Sequence, residues 1–417
     1  MVSTAASSPD ARSLCDAAEV LEVILDPRRR GELYPYLNRL REIEPLHRTE
    51  ALHGRPAWLV TSFADALSVL SDKSLVSDAR NAEIFDTGPG GQRFYDMVRR
   101  LLLYIEPDDH DRIRTLLARH FTPRAVARFR PLMEAVVDDL LDRAEEMGRV
   151  DLVGDLAYLL PTAVICDILG VPRGDLPVFH GWLNDFARRG DVSGITPEVE
   201  RLGEEATCGF AEYFEDLIAQ RRRRPQEDFL TVLVEAEDDR GRLGDDELVA
   251  LCILMIQAGH ETTADMIALS TLALLRNPDQ LALLRERPDL LRNAIEEFLR
   301  YDGSNQMVQR VSYEDFTLGD VSVRAGEVCS ILTGAAGRDP ARFDHPDRLD
   351  IERRDIQHFG FGHGSHICLG SALARNELEI MLGRMIQRFP DIRLASDDVE
   401  YRDSFVLRGL ASLHLEL

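Results

Sequence analysis

The chain has 417 residues, 45% of them hydrophobic and 29% charged, with a formal net charge of -24. That length and composition suit a large globular protein and exclude a disordered, collagenous or fibrous one. The acidic balance argues against nucleic acid as a partner and against adsorption on anionic membranes, since both need basic surface. Lys73 is the only lysine, so the basic residues are otherwise arginine; a GC-rich coding bias explains this more simply than selection at each site.

In chain order, the first residues are small and polar, without the basic and apolar regions of a signal peptide. Strands are predicted at Pro45–Glu50 and Ala57–Thr61, with His53-Gly54-Arg55 as the turn. A helix should follow, capped by Thr61 or Ser62. Residues Asn81–Arg99, with Gly88-Pro89-Gly90-Gly91, read as a long irregular segment. The apolar run Leu156–Val171, broken by Pro161 and Asp167, reads as a buried helix. Helices continue through the middle of the chain, and Arg221–Arg224 reads as a solvated helix end. Phe316–Leu332 carries hairpin signals at Gly319-Asp320 and Ala325-Gly326, and Phe405–Leu415 alternates like a strand pair. The expectation is a mainly α fold with a small β-rich part.

Six cysteines, at 15, 166, 208, 252, 329 and 368, are widely spaced with no CxxC pair. This is the usage of a reducing compartment, so a cytoplasmic location is expected. Five read as structural, Cys166 and Cys252 as small hydrophobes in apolar helices. Cys368 differs. It lies in Phe359-Gly360-Phe361-Gly362-His363-Gly364-Ser365-His366-Ile367-Cys368-Leu369-Gly370, directly before a helical pattern through Leu373, Leu378, Met381 and Met385. Glycines there allow tight turns and close approach to a flat ligand, and a helix start favours a thiolate. Such a thiolate suits an axial iron ligand. An inert buried cysteine, or zinc held by His363, His366 and Cys368, would use the same residues.

The stretch resembles the haem-binding signature of the cytochrome P450 family through Phe361, Gly364, Cys368 and Gly370. Other segments resemble the family in order. A long apolar helix from about Asp246 to Leu275 is interrupted by Ala258-Gly259-His260-Glu261-Thr262-Thr263-Ala264-Asp265. In isolation this is a kink; the resemblance implies an oxygen-binding groove at Ala258 and Gly259, with Glu261 and Thr262 as a catalytic acid–alcohol pair delivering protons. Glu297-Phe298-Leu299-Arg300 places Glu and Arg on one helix face, implying a structural ion pair. His110 and Arg114, four residues apart within 106–114, with Arg310 and His366, are implied contacts for the haem propionates. Two departures stand out. Gly337 occupies a position where relatives often carry Asn, and Gly303-Ser304-Asn305 replaces a common Ser-Pro-Val.

The resemblance covers nearly the whole chain, so one cytochrome P450-like domain over residues 1–417 is expected, with haem b on Cys368 between a long distal helix and the proximal Cys loop. It implies a monooxygenase that inserts one oxygen atom from O2 into a small, largely apolar substrate, in bacterial secondary metabolism. Electrons would come from NAD(P)H through a ferredoxin and ferredoxin reductase. Oxidative ring closure or C–C coupling would use the same motifs. A haem-thiolate sensor would leave Glu261 and Thr262 without a role. Five segments should wall the substrate pocket: Asn81–Arg99, Pro177–Val192, Met255–Ala258, Ser304–Val308 and Phe405–Leu407. Phe85, Leu183, Met255, Met307 and Phe405 supply apolar surface there, and Asn305 and Gln306 polar groups. Arg112, Arg353, Arg354 and Arg375 should form a basic patch for the ferredoxin.

Overall fold

A computed structural model describes residues 9–52, 56–78, 91–105, 107–191, 195–238 and 241–417. Its axis is the helix Asp245–Arg276, 32 residues long. Apolar residues face nearly every direction along it, which is the pattern of a helix buried all round rather than on one stripe. The helices Leu159–Leu169, Pro197–Arg223, Leu291–Tyr301 and Ser371–Arg388 pack against it. Its start is closed by Glu247, whose carboxylate accepts the Gly244 N–H at 2.7 Å. The expected interruption at 258–265 leaves the helix unbroken. Gly259 serves packing instead: a Cβ there would meet the Ile165 side chain at 3.3 Å, so its absence lets Leu159–Leu169 lie close.

The window Leu152–Leu169 is long and apolar enough to cross a membrane by length and composition, but 61% of it is buried inside the fold. It serves as a core segment, as expected for Leu156–Val171.

The first two predicted strands form, as Leu46–Thr49 and Ala57–Val60, antiparallel; their turn, 53–55, lies outside the described residues. They enter a five-stranded sheet in the order Leu46–Thr49, Ala57–Val60, Val328–Leu332, Met307–Ser312, Leu75–Val76. Only the pairing of Ala57–Val60 with Val328–Leu332 is parallel. Ser62 caps the following helix Phe63–Ser71 by accepting the Asp65 N–H. The hairpin Phe316–Leu318 with Val321–Val323 turns at Gly319, φ +57°.

Three expectations are corrected. Part of Asn81–Arg99 is helical, at Gln92–Val98; positions 81–90 lie outside the described residues. Phe405–Leu415 is not a strand pair. It makes single bridges, Asn305 to Leu407 and Tyr401 to Leu410, before a short strand His414–Glu416. Its backbone is satisfied across the fold, with Gln306 N–H on Val406 O and Arg408 N–H on Ser304 O. Arg221 is buried rather than solvated, because it pairs with Asp228 at 2.5 Å and donates to Gly170 O at 2.7 Å. Of the five cysteines read as structural, Cys15 is exposed.

The Glu297–Arg300 pair is fully buried, with bonds of 2.7 and 2.8 Å. Arg353 adds contacts of 3.1 Å to the same carboxylate, while Arg300 also donates to Gly337 O and Pro346 O, both at 2.8 Å. Removing one partner of such a desolvated pair costs about 3–5 kcal/mol. Glycine at 337 has a steric reason: a Cβ would stand 2.8 Å from Arg300 O.

Candidate functional site

The loop 359–370 sets the Cys368 sulfur at the wall of a large cavity. Gly362 and Gly364 hold left-handed φ of +70° and +74°. Gly364 also has no room for a Cβ, which would fall 2.3 Å from Leu70 O. The Cys368 N–H donates to Phe361 O at 2.8 Å, closing the turn. Arg375 lies over the Phe361 ring, 4.4 Å from its centre, and is anchored on Glu296 at 2.6 and 2.8 Å. Burial opposes the charge on Glu296, but Arg375 and His358 prevail and hold its carboxyl down at about 2.

Cys368 has accessible surface, yet it faces the cavity and is otherwise enclosed by protein. Burial pushes its thiol up, against pulls from the Gly370 N–H, Arg114 and Arg375. The helix-start effect expected from the sequence is therefore not dominant. The helix begins at Ser371, with Gly370 as its cap, so Cys368 precedes its first turn, and the dipole's influence is confined to that turn. Among the described residues no three His, Cys, Asp or Glu side chains are grouped to hold a metal ion, so the zinc set has no support.

His110, Arg114, Arg310 and His366 come together on the same cavity. The His110 and His366 rings stack at 4.1 Å. Arg114 donates to Ile367 O at 2.5 Å, and Arg310 to Gln309 O at 2.8 Å. Asp111, 3.2 Å from His110, is the carboxylate beside this cluster. Arg310 forms no ion pair among the described residues, and burial lowers it to about 10. Burial, reinforced by Arg310, His110 and Arg114, lowers His366 to about 3. Four cationic or ionisable donors left this short of anions form a receptor for anionic groups. The donor set, a thiol sulfur beside four cationic or imidazole groups on one cavity, fits haem, whose iron takes a thiolate and whose two carboxylates these groups would hold.

Ala258, Gly259, Glu261 and Thr262 line the cavity from the central helix. The Thr262 hydroxyl donates to Ala258 O at 2.9 Å. Glu261 is engaged elsewhere: its carboxylate pairs with Arg402, which also binds Asp265 at 2.5 Å and the Tyr158 hydroxyl at 3.0 Å. Sequence reasoning missed Arg402, Asp265 and Tyr158. The available signal was Asp265 itself, an acid one turn after Glu261 in an apolar helix. Glu377 was also missed. It lines the cavity from Ser371–Arg388, 1% exposed, with neither carboxyl oxygen hydrogen-bonded among the described residues.

The cavity measures about 950 Å³, at the top of the roughly 300–1,000 Å³ range of ligand sites. All five expected segments contribute, through Phe94, Phe186, Met255, Met307 and Leu407 among others. Phe85 lies outside the described residues. Leu183 and Phe405 are buried in the core instead of lining the cavity. Gln306 also turns away, donating to Gly303 O at 2.6 Å and Tyr34 OH at 3.2 Å. Asn305 does line the cavity, but its side-chain oxygen accepts the Met307 N–H at 3.2 Å, a turn contact.

The expected basic patch is largely neutralised. Arg112 pairs with Glu247, Arg353 with Glu297 and Arg375 with Glu296. Of the four, Arg354 is exposed and forms no ion pair among the described residues.

The family model for cytochrome P450 matches residues 183–407. The chain is 40% identical over 389 residues to cytochrome P450 107B1 of Saccharopolyspora erythraea, covering 90% of this chain and 92% of the relative. It is 35% identical to 6-deoxyerythronolide B hydroxylase of the same organism, covering 91% and 94%. Among solved structures, P450BioI in complex with a hexadec-9Z-enoic acid ligated acyl carrier protein superimposes with a TM-score of 0.88 at 34% identity, covering 94% of this chain and 99% of that one. The chain therefore belongs to the cytochrome P450 family, the haem-thiolate monooxygenases fed with NAD(P)H electrons through redox partners.

Proposed function

We propose that this protein is a single-domain cytoplasmic monooxygenase that inserts one oxygen atom into a small, largely apolar molecule of bacterial secondary metabolism, with Cys368 as the iron ligand and Glu261 and Thr262 as catalytic residues. The observation that carries this reading is the shared cavity. One wall presents the Cys368 sulfur and the His110, Arg114, Arg310 and His366 cluster; another presents Ala258, Gly259, Glu261 and Thr262. Relatives that act as hydroxylases on secondary metabolites support the substrate class.

Haem bound here supplies activation of dioxygen, with electrons delivered from outside the chain. His110, Arg114, Arg310 and His366 would hold its two carboxylates. Phe361 and Gly370 shape the ground beside the sulfur, Gly370 leaving its approach open. Ala258, whose side chain stops at Cβ, would leave room for the cofactor at the cavity wall. Thr262 holds a proton at Oγ, and the Glu261 carboxylate takes up a proton and passes it toward that hydroxyl. Both groups line the cavity, so protons would reach the reacting atoms from placed side chains. The electron donor in this reading is a ferredoxin with its NAD(P)H-dependent reductase.

Cys368→Ser tests the ligand assignment: the red-shifted band of the reduced CO complex, which reports a thiolate, should vanish. Its persistence would refute the assignment. Product mass with a ferredoxin and reductase separates oxygen insertion, a gain of one oxygen, from ring closure or coupling, a loss of two hydrogens.

A further inference from the structure

The acid Glu261 is tied to a part of the chain far from the central helix. Glu261 and Asp265 lie one turn apart on Asp245–Arg276, where two carboxylates repel. Arg402 stands between them and answers both, one nitrogen on Glu261 and the Tyr158 hydroxyl, the other on Asp265. Asp265 is 2% exposed and cannot reach water, so it pins one arm of the guanidinium. Burial pushes its carboxyl up, Arg402 pulls it down, and Glu261 pushes it up again.

Backbone hydrogen bonds also hold the segment around Arg402. Its N–H donates to Gly409 O at 3.0 Å, and Ala411 N–H donates to Glu400 O at 2.8 Å. A Cβ on Gly409 would fall 2.1 Å from Asp265 Oδ1 and 2.5 Å from Arg402 Nη2, so only glycine lets the chain close over the ion pair. The loop closed in this way, 403–408, puts Asp403, Ser404, Val406 and Leu407 on the cavity wall. One side chain therefore joins the acid to a loop that faces the ligand.

We propose that Arg402 is a positioning residue for Glu261, holding its carboxyl at the cavity wall one residue from Thr262 through a fork anchored on Asp265 and Tyr158. This rests on the reading of Glu261 as the acid that moves protons. A planar guanidinium can serve two carboxylates and a phenol at once; an ammonium cannot keep that geometry. Loss of the fork, not of the charge, is what should disturb proton delivery.

The test uses the haem-loaded enzyme and compares Glu261→Gln, Arg402→Lys, Arg402→Gln/Asp265→Asn and Glu261→Gln/Arg402→Lys. Product formed per NAD(P)H, peroxide released and the solvent deuterium isotope effect are read for each. Arg402→Lys should lower product per NAD(P)H by roughly tenfold or more, since small misplacements of reacting groups cost on the order of 100-fold. It should carry the same altered isotope effect as Glu261→Gln, and the Glu261→Gln/Arg402→Lys variant should be no worse than Glu261→Gln alone. If Glu261→Gln uncouples the enzyme while both Arg402 variants couple normally, Arg402 does not position the acid. If Glu261→Gln itself couples normally, the underlying reading of Glu261 fails instead. Unfolding midpoints give a readout independent of turnover. Arg402→Gln alone, which strands Asp265, should unfold more easily than Arg402→Gln/Asp265→Asn; equal midpoints would remove the ion pair on which the proposal stands.

Discussion

Replacing Glu377 with Gln should remove a pH-dependent burden from the folded state. Glu377 is buried at the cavity wall without a hydrogen-bond partner among the described residues, and burial alone pushes its carboxyl from 4.5 up to about 8. The folded chain therefore keeps Glu377 protonated over a range in which the unfolded chain ionises it. Because the folded value is the higher one, this contribution is fully present below pH 4.5 and is lost as the pH rises through about 8. At about 1.4 kcal/mol per pKa unit, the whole interval is worth at most about 5 kcal/mol. Relaxation of the interior around the charge reduces that figure. The assay is urea unfolding of the haem-loaded wild type and Glu377→Gln from pH 4.5 to 9. Groups such as Asp265 titrate in both proteins and cancel in the difference. Gln should gain stability relative to wild type steadily across the window and level off above it. A difference that stays constant with pH would refute the reasoning, because Glu377 would then have the same affinity for its proton folded and unfolded.

Thr262→Ala removes the hydroxyl that donates to Ala258 O; NAD(P)H consumption should continue while peroxide replaces product, and unchanged coupling would exclude a role in proton delivery. Asn305→Val removes the turn bond to the Met307 N–H, so stability should fall by about 1 kcal/mol with the product pattern unchanged; altered regiochemistry would instead place the amide on the substrate. Gly337→Ala sets a methyl 2.8 Å from Arg300 O, a backbone atom beside a buried ion pair. It should cost about 1–3 kcal/mol in urea unfolding, and an unchanged midpoint would show that the segment yields freely.

Local patterns were legible because each depends on neighbours in the chain. The all-round apolar run of 245–276, the Ser62 cap, the turn at Gly319 and the glycine-rich approach to Cys368 all follow from spacing and side-chain type. His110, Arg114, Arg310 and His366 line one cavity, a grouping that only the family resemblance, not local pattern, implied. Tertiary structure alone decided which polar groups meet. Arg402 reaches Glu261 across 141 residues of sequence, and Gln306 leaves the cavity for Tyr34 across 272. The same packing buried Arg221 against Asp228 and matched three of the four supposed docking arginines to acids. An arginine carries the same charge whether it faces solvent, a partner or a buried carboxylate. Its role is set by the groups that packing brings within hydrogen-bond reach, and no periodicity along the chain encodes them.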